Sequence, residues 1–329
     1  MDAQLRQNVV GGLTKYGIVL VLLIMVMGIS IAEPRFLSQT NIFNVLTQSS
    51  MFGILALGMT FVITSKGIDL SVGSVLAFTG VVCASLSQVG TATNLYFDNL
   101  YDLPVIVPIV VTIAIGFLLG SISGALIAFT GIPAFIATLG MMTIARGMTL
   151  MYTDGMPISQ FTPAIRFFGD RIGGVIPVPV LVWAVMIVIS WILLSHTSFG
   201  KYIYAIGGNV KAAEISGVNV KKNQIFIYGF SGLCAGVAAI VFAGRVGSVN
   251  PGAGLGFELT AIAATTIGGT SHYGGIGTIW GAVVGALVIG VLRNGMTILE
   301  FDAYWQPIVE GLIIITAVAI DMRKNAKKK

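Results

Sequence analysis

The chain has 329 residues, of which 56% are hydrophobic and only 9% are charged, and its mean hydropathy is +0.94. Because soluble domains carry about 25% charged residues, this composition excludes a soluble globule and predicts a polytopic membrane protein. The formal net charge of +5 does not indicate a nucleic-acid partner, since most basic residues lie in loops and in the C-terminal tail.

Ten apolar runs follow one another, and they predict an all-α integral membrane protein with ten transmembrane helices. The first run, with Ser30 and Ala32 near its end, also resembles a signal peptide with its cleavage site. We favour an uncleaved span, because a chain embedded throughout needs no separate secretion signal. The predicted spans are 16–32, 42–64, 70–86, 104–129, 134–152, 177–195, 224–243, 259–269, 276–292 and 307–320.

The basic residues predict the orientation of these spans. An even number of spans places both termini on one side, and the basic tail from Arg323 to Lys329 makes that side cytoplasmic by the positive-inside rule. Every Lys then falls in a segment predicted to be cytoplasmic. We therefore expect a cytoplasmic N-terminus (1–15), a transmembrane domain (16–321) and a basic cytoplasmic tail (322–329).

Residues 196–223 form the longest water-compatible segment between two apolar runs. They contain four Lys and one Glu, so their charge predicts a cytoplasmic loop. We expect one or two helical turns over 212–218, with 205–209 as the turn before them. A membrane protein with such a loop usually presents it to a partner in the cytosol.

The motifs of an enzyme are missing from the sequence. There is no G-x-x-x-x-G-K-[ST] loop, so the chain is not expected to bind ATP in that manner. The isolated His196 and His272 form no metal-ligand or acid–base pattern, and Cys83 and Cys234 lie far apart in apolar runs. We predict a transport protein without a metal or cofactor of its own.

Polar groups inside the spans must face a partner or a cavity. Neutral hydroxyls and amides cluster in the outer half of the second span, where they suit an uncharged, hydroxyl-rich solute or, equally, hydrogen bonds between helices worth roughly 0.6–2 kcal/mol each. Asp69 could cap the third span, and Arg146 should pair with a carbonyl or a carboxylate, or face water. The polar cluster comprises Asn44, Thr47, Gln48, Ser49 and Ser50.

Two further patterns concern helix packing. Small residues at i, i+4 spacing predict close helix crossings. The segment Thr64–Ser65–Lys66, which precedes a Gly-rich span, is similar to Thr270–Ser271–His272, which also precedes one, and such matched interruptions often mark a transport path. The small residues are Gly116, Gly120, Gly124, Gly281 and Gly285.

The chain resembles the membrane subunit of monosaccharide importers of the ATP-binding-cassette class, with the greatest similarity to ribose-type permeases. The resemblance extends from about Phe36 to the C-terminus and keeps the order and spacing of its motifs. These motifs are Gly58-Met59-Thr60, residues 67–74, residues 134–140, Arg146-Gly147, residues 200–209, Ala212-Ala213, Ser216-Gly217-Val218 and residues 258–263.

The resemblance implies a homodimeric permease in a bacterial inner membrane. Its expected partners are two cytoplasmic ATPase subunits, which would hold ATP and Mg²⁺, and an extracytoplasmic sugar-binding protein. It also implies that 205–218 is the coupling segment, inserted into a groove of the ATPase. The residues assigned to coupling are Gly200, Ala205, Ile206, Gly207, Gly208, Asn209, Ala212, Ala213, Ser216 and Gly217.

We therefore expect inward transport of a monosaccharide, foremost ribose, by alternating access. The polar cluster of the second span, together with Asp69, Ser71 and Ser74, is the predicted solute path. One alternative is a permease of the same build for galactose, xylose, inositol, a nucleoside or a signalling furanose. An ion-coupled carrier is less favoured, since carboxylates are scarce inside the spans.

Overall fold

The computed structural model describes the backbone of residues 3–326 and the side chains of residues 17–319 and 321–323. Helices dominate this part of the chain, and the strands described are only two residues long. The helices are α1 (Ala3–Ala32), α2 (Gln39–Thr64), α3 (Val72–Ser85), α4 (Ile106–Thr130), α5 (Ala134–Thr153), α6 (Pro163–Arg166), α7 (Val178–His196), α8 (Ser198–Gly208), α9 (Val210–Ile215), α10 (Val220–Val246), α11 (Phe257–Ile267), α12 (Ile279–Ile298) and α13 (Trp305–Ala326). Strand β1 (Ile158–Ser159) pairs with β4 (Ser248–Val249), and β2 (Arg171–Ile172) pairs with β3 (Ile176–Pro177), both antiparallel.

The prediction of an all-α polytopic membrane protein is confirmed. Among the described residues, seven helices are long and apolar enough to cross a membrane: α2, α4, α5, α7, α10, α12 and α13. Three shorter apolar helices, Gly17–Ala32 within α1, α3 and α11, follow the same order as the remaining predicted spans.

The ends of the chain differ from the predicted division. Helix α1 begins at Ala3, so it includes most of the predicted N-terminal segment 1–15, whose first two residues lie outside the described residues. Helix α13 extends to Ala326, into the predicted tail 322–329, and residues 327–329 of that tail also lie outside. Polar residues continue a helix readily where it leaves an apolar layer, so these helices are longer than their apolar runs.

Helices α2 and α10 form the centre of the structure, and both are buried over most of their length. Helix α4 packs along α10 through backbone contact. A Cβ added to Gly120 would lie 2.1 Å from the Tyr228 carbonyl oxygen, and one added to Gly232 would lie 2.0 Å from the Gly116 oxygen. On the opposite side, Gly285 of α12 lies equally close to the backbone of α11. The predicted close crossings are confirmed, because only hydrogen at Cα leaves room for them.

The two halves of the chain make matching helix contacts. Helix α4 packs on α10 as α12 packs on α2, and α3 lies against both α4 and α5 as α11 lies against α12 and α13. Each helix of α2–α5 thus has a counterpart among α10–α13 in the same order. This arrangement is a structural repeat. The sequence similarity between the segments at Thr64 and Thr270 does not follow it, because the first segment comes after α2 whereas the second comes after α11, the counterpart of α3.

Replacement of Gly120 by Ala should destabilise the protein by about 1–3 kcal/mol, because the new methyl group would meet the α10 backbone. The matched control is Gly28→Ala in α1, where no atom lies within 4 Å of the added Cβ. That change should be neutral or stabilising by up to about 1 kcal/mol, since Ala favours helix more than Gly. Thermal unfolding of the purified variants in detergent measures both, and equal melting temperatures would contradict the proposed crossing.

Candidate coupling surface and solute path

The loop predicted at 196–223 consists of two helices joined at Asn209. The expected turn at 205–209 is wrong, because those residues form the last turn of α8 and the link to α9. Helix α8 begins where the Thr197 hydroxyl accepts from the Gly200 amide, and it buries Ile203 and Ile206 on one face. Asn209 is extended, and its side chain accepts from the Ala212 amide at 3.0 Å, which starts α9.

The residues assigned to coupling divide into a buried and an exposed group. The buried ones fix the helix pair to the rest of the chain, and the exposed ones form its free surface. The buried residues are Gly200, Ile206, Gly207 and Ala213, and the exposed ones are Ala205, Gly208, Asn209, Ala212, Ser216 and Gly217.

Adjacent glycines in α8 have different environments. A Cβ on Gly207 would lie 1.9 Å from the Thr64 carbonyl oxygen at the end of α2, whereas one on Gly208 would meet no atom within 4 Å. Gly207 is therefore required for packing within the chain. Gly208 lies on the surface, where a larger side chain would affect only a partner.

The free surface also contains apolar residues that the sequence motifs did not single out. Ile215 is 81% exposed at the end of α9, and Val210 is 40% exposed at its start. Large apolar side chains on a polar loop are unusual unless a partner covers them. The signal in the sequence was an Ile beside Glu214 in a Lys-rich segment.

The predicted path residues of α2 mostly point into the protein. Asn44 is exposed, and its side-chain oxygen lies 3.4 Å from the Arg171 guanidinium; Gln48 is half-buried. Thr47 and Ser50 are buried, with the Ser50 hydroxyl donating to the Thr47 carbonyl at 2.7 Å. Ser49 is also buried, has no hydrogen-bond partner within the described part of the chain, and packs against Gly290 of α12.

Asp69, Ser71 and Ser74 lie in and after the irregular segment 65–71 that connects α2 to α3, and all three are buried. The Asp69 carboxylate accepts from the Ser71 amide and hydroxyl at 2.9 and 2.6 Å, and from the Ser231 hydroxyl of α10 at 2.8 Å. Because α3 begins only at Val72, Asp69 does not cap its first turn as expected. Instead, Asp69 holds Ser71, the residue before the helix, and connects this segment to α10 through Ser231.

Arg146 holds the second irregular segment, 247–256, which precedes α11. One guanidinium nitrogen donates to the carbonyls of Pro251 and Ala253 at 2.6 and 2.9 Å. Pairing with carbonyls was one of the predicted environments for this side chain, and it is confirmed. The two short helices α3 and α11 thus both begin after non-helical backbone that one charged side chain secures.

A buried ion pair that sequence inspection missed lies near the other end of α12. The guanidinium of Arg293 pairs with the carboxylate of Glu310 in α13, donates to the Thr260 hydroxyl at 2.8 Å, and lies 4.3 Å from the ring centre of Phe52. Arg293 looked like a residue at the span's edge, and Glu310 was not recognised as its partner. Only the packing of α13 on α11 brings Glu310 within reach of Arg293.

Metal-binding geometry is not found in the described part of the chain, where no group of three or more His, Cys, Asp or Glu side chains could hold an ion. The expectation that the chain carries no metal or cofactor stays a prediction.

Comparison with known families identifies the class of the protein. Residues 41–318 match a family described as the permease component of the branched-chain amino acid transport system. The chain belongs to this permease family. No solved structure matches it.

Several curated proteins are similar to this permease over nearly its whole length. It is 43% identical to the ribose import permease protein RbsC of Bacillus subtilis over 98% of this chain and 97% of that protein. It is 42% identical to RbsC of Haemophilus influenzae over 93% of each chain, and 38% identical to the galactose/methyl galactoside import permease MglC of Salmonella typhimurium over 100% of each. The resemblance to sugar importer permeases seen in the motifs is confirmed.

Replacement of Arg146 by Met should destabilise the permease by about 1–3 kcal/mol, because the buried carbonyls of Pro251 and Ala253 would lose their donor. Arg146→Lys should lose less, since an ammonium group can still donate to both oxygens. Thermal unfolding of the three proteins in detergent checks the order, and a Met variant as stable as the wild type would contradict the role of Arg146.

Proposed function

We propose that this permease is the transmembrane subunit of an ATP-binding-cassette importer that moves a monosaccharide, foremost ribose, into the cytosol by alternating access. The observation that carries the proposal is the helix pair α8–α9. It is anchored by Gly207 and Ile206, and it presents an exposed, partly apolar surface that nothing in the described chain covers. Similarity to ribose import permeases over nearly the whole chain supports the class of solute.

The proposed topology has ten membrane-spanning segments with both termini in the cytoplasm. It is supported by the distribution of Lys residues and by the structural repeat. Counterparts in the repeat are five spans apart, so they would run in opposite directions across the membrane. Transporters with such inverted halves place their solute path at interrupted helices between them. Here α3 and α11, each preceded by irregular backbone, are the corresponding elements.

The proposed assembly contains two copies of this chain in a bacterial inner membrane, with the surface of α8–α9 on a separate ATPase that holds ATP and Mg²⁺. An extracytoplasmic binding protein would deliver the sugar. Since the chain has no P-loop of its own, energy must enter through the exposed helix pair. This division of labour is what the word permease implies for the relatives named above.

Within the proposed path, the residues of the polar cluster would act in different ways. Asn44 and Gln48 remain accessible enough to touch a passing solute, whereas Ser49 packs against α12. The buried Asp69 and Ser71 would set the position of α3 at the edge of the path instead of contacting sugar. Substitution of Gln48 should therefore alter uptake with little effect on unfolding, and substitution of Asp69 should alter both.

Uptake in reconstituted vesicles tests the proposal directly. The permease, a candidate ATPase and the binding protein are combined, and labelled ribose is followed with and without ATP. ATP-dependent accumulation that unlabelled ribose abolishes is the expected result. Accumulation without ATP would contradict it, and sensitivity to a protonophore at constant ATP would favour an ion-coupled carrier.

Galactose transport is the second candidate, because the chain is 38% identical to galactose permeases over its full length. Competition by unlabelled galactose, xylose, inositol and nucleosides in the same vesicles separates the sugars. Inhibition by one of these compounds and not by ribose would keep the mechanism and change the solute.

Replacement of Ile215 by Asp should weaken binding of the ATPase and reduce ATP-dependent uptake at least fivefold, because burying a carboxylate in an apolar contact costs more than about 1 kcal/mol. Ile215→Leu is the matched control and should retain uptake. Co-purification with the ATPase and uptake are measured together, with unfolding as a check that the permease is intact. Full uptake by the Asp variant would place the interface elsewhere.

A further inference from the structure

The loop between α11 and α12, residues 268–278, lies directly against the helix pair α8–α9. It contains the segment Thr270–Ser271–His272, whose similarity to Thr64–Ser65–Lys66 was noted in the sequence. In the structure these two segments are neighbours. A Cβ added to Gly277 would lie 2.2 Å from the Thr64 hydroxyl and 3.2 Å from that of Thr270. The two similar segments therefore meet at one place under α8.

Backbone contact joins three elements at this place. The Thr64 carbonyl accepts from the Gly275 amide at 2.8 Å, and the same carbonyl lies against Gly207 of α8. A Cβ on Gly274 would lie 2.5 Å from the Gly207 oxygen and 2.9 Å from the Cβ of Lys66. No side chain separates α8, the end of α2 and the loop. A displacement of α8 would therefore not be taken up by rearrangement of side chains between these elements.

A side-chain hydrogen bond adds a direct tie between α8 and the loop. The Tyr204 hydroxyl donates to the Gly277 carbonyl at 2.7 Å, and Tyr204 is half-buried. Gly277 immediately precedes Thr278, whose hydroxyl accepts from the Gly281 amide and starts α12. The Tyr204 bond therefore holds the point from which α12 begins.

The other part of the loop is tied to α13 and α11. One carboxylate oxygen of Asp321 accepts from the Ser271 hydroxyl at 3.0 Å and from the His272 amide at 3.1 Å. The His272 ring contacts the Thr266 hydroxyl at 2.8 Å, and burial lowers the pKa of this imidazole. The loop thus has one attachment on α8 and separate attachments on α11, α12 and α13.

We propose that the loop 268–278 transmits movement of the coupling helices to α11, α12 and α13, with Tyr204 and Asp321 as its positioning residues. The inference rests on the proposed function, in which the ATPase displaces α8–α9. Such a displacement would be passed to α2 through Gly207. It would be passed to α11, α12 and α13 through the loop. Tyr204 and Asp321 are positioning residues, whose role is to keep the two movements together.

The first measurement tests the tie in the permease alone. Hydrogen exchange is followed by mass spectrometry in peptides covering 268–278 for Tyr204→Phe and for the control Tyr202→Phe. Tyr202 lies in the same helix and is 40% exposed, and its hydroxyl has no hydrogen bond within the described part of the chain. Loss of the Tyr204 bond should speed exchange roughly two- to tenfold, including at Ser271 and His272. Exchange equal to that of the control would overturn the proposal.

The second measurement uses the complete transporter in vesicles and determines ATP hydrolysed per sugar imported. Tyr204→Phe should raise this ratio roughly two- to tenfold, with unchanged binding of the ATPase, whereas Tyr202→Phe should leave it at the wild-type value. A merely structural role would lower uptake and ATP hydrolysis in proportion, and that result would overturn the proposal.

Asp321→Ala probes the far end of the same route. This change should also raise the ratio of ATP hydrolysed per sugar imported. The double variant with Tyr204→Phe should raise the ratio by less than the product of the two single effects, because both changes interrupt one connection. Multiplicative effects would overturn the shared route. A wild-type transporter without ATP-dependent uptake would instead refute the proposed function, and hydrogen exchange in the permease alone would then decide whether the tie exists.

Discussion

The structure depends on keeping non-helical backbone satisfied in a protein built for lipid. Two segments, 65–71 and 247–256, lie between helices, and where they are buried their free amides and carbonyls have no water to bind. Asp69 supplies acceptors to the first segment, and Arg146 supplies donors to the second. Each of these two charged side chains thus forms hydrogen bonds with a segment that is not helical.

These interruptions explain why α3 and α11 are short and why they lie inside the protein. The first amides of a helix have no partner within the helix, so a helix that starts inside the protein needs acceptors from its surroundings. The surrounding long helices provide that cover, with α2 and α10 in the middle and glycines at the α4–α10 and α11–α12 crossings. Close packing of the long helices thus surrounds the starts of both short helices.

The two faces of α8–α9 have contrasting environments. The inner face contacts the backbone of α2 and of the loop 268–278 at Gly207. On the outer face Ile215 is 81% exposed, and a Cβ added to Gly208 would meet no atom of the described chain within 4 Å. A partner that grips the outer face therefore acts on tightly packed backbone and not on flexible side chains. Tight packing is what allows small shifts to be passed on.

Length, hydropathy and charge by themselves determined the membrane class, the order of the apolar helices and the polar segment between α7 and α10. These features depend on local composition and on transfer between water and lipid, which a sequence displays directly. The motifs also determined the family. The ends of helices were harder to predict from the sequence, because polar residues can continue a helix beyond its apolar run, as α1 and α13 show.

Only the tertiary structure decided which polar groups meet. Arg293 and Glu310 pair across two helices, Asp69 reaches Ser231, and Tyr204 reaches Gly277, over separations of 17, 162 and 73 residues. The predicted path cluster on α2 followed from composition, yet its three hydroxyl residues, Thr47, Ser49 and Ser50, are buried within the protein. A one-dimensional pattern reports that a helix carries polar groups, whereas the direction they face depends on the rotation of that helix against its partners.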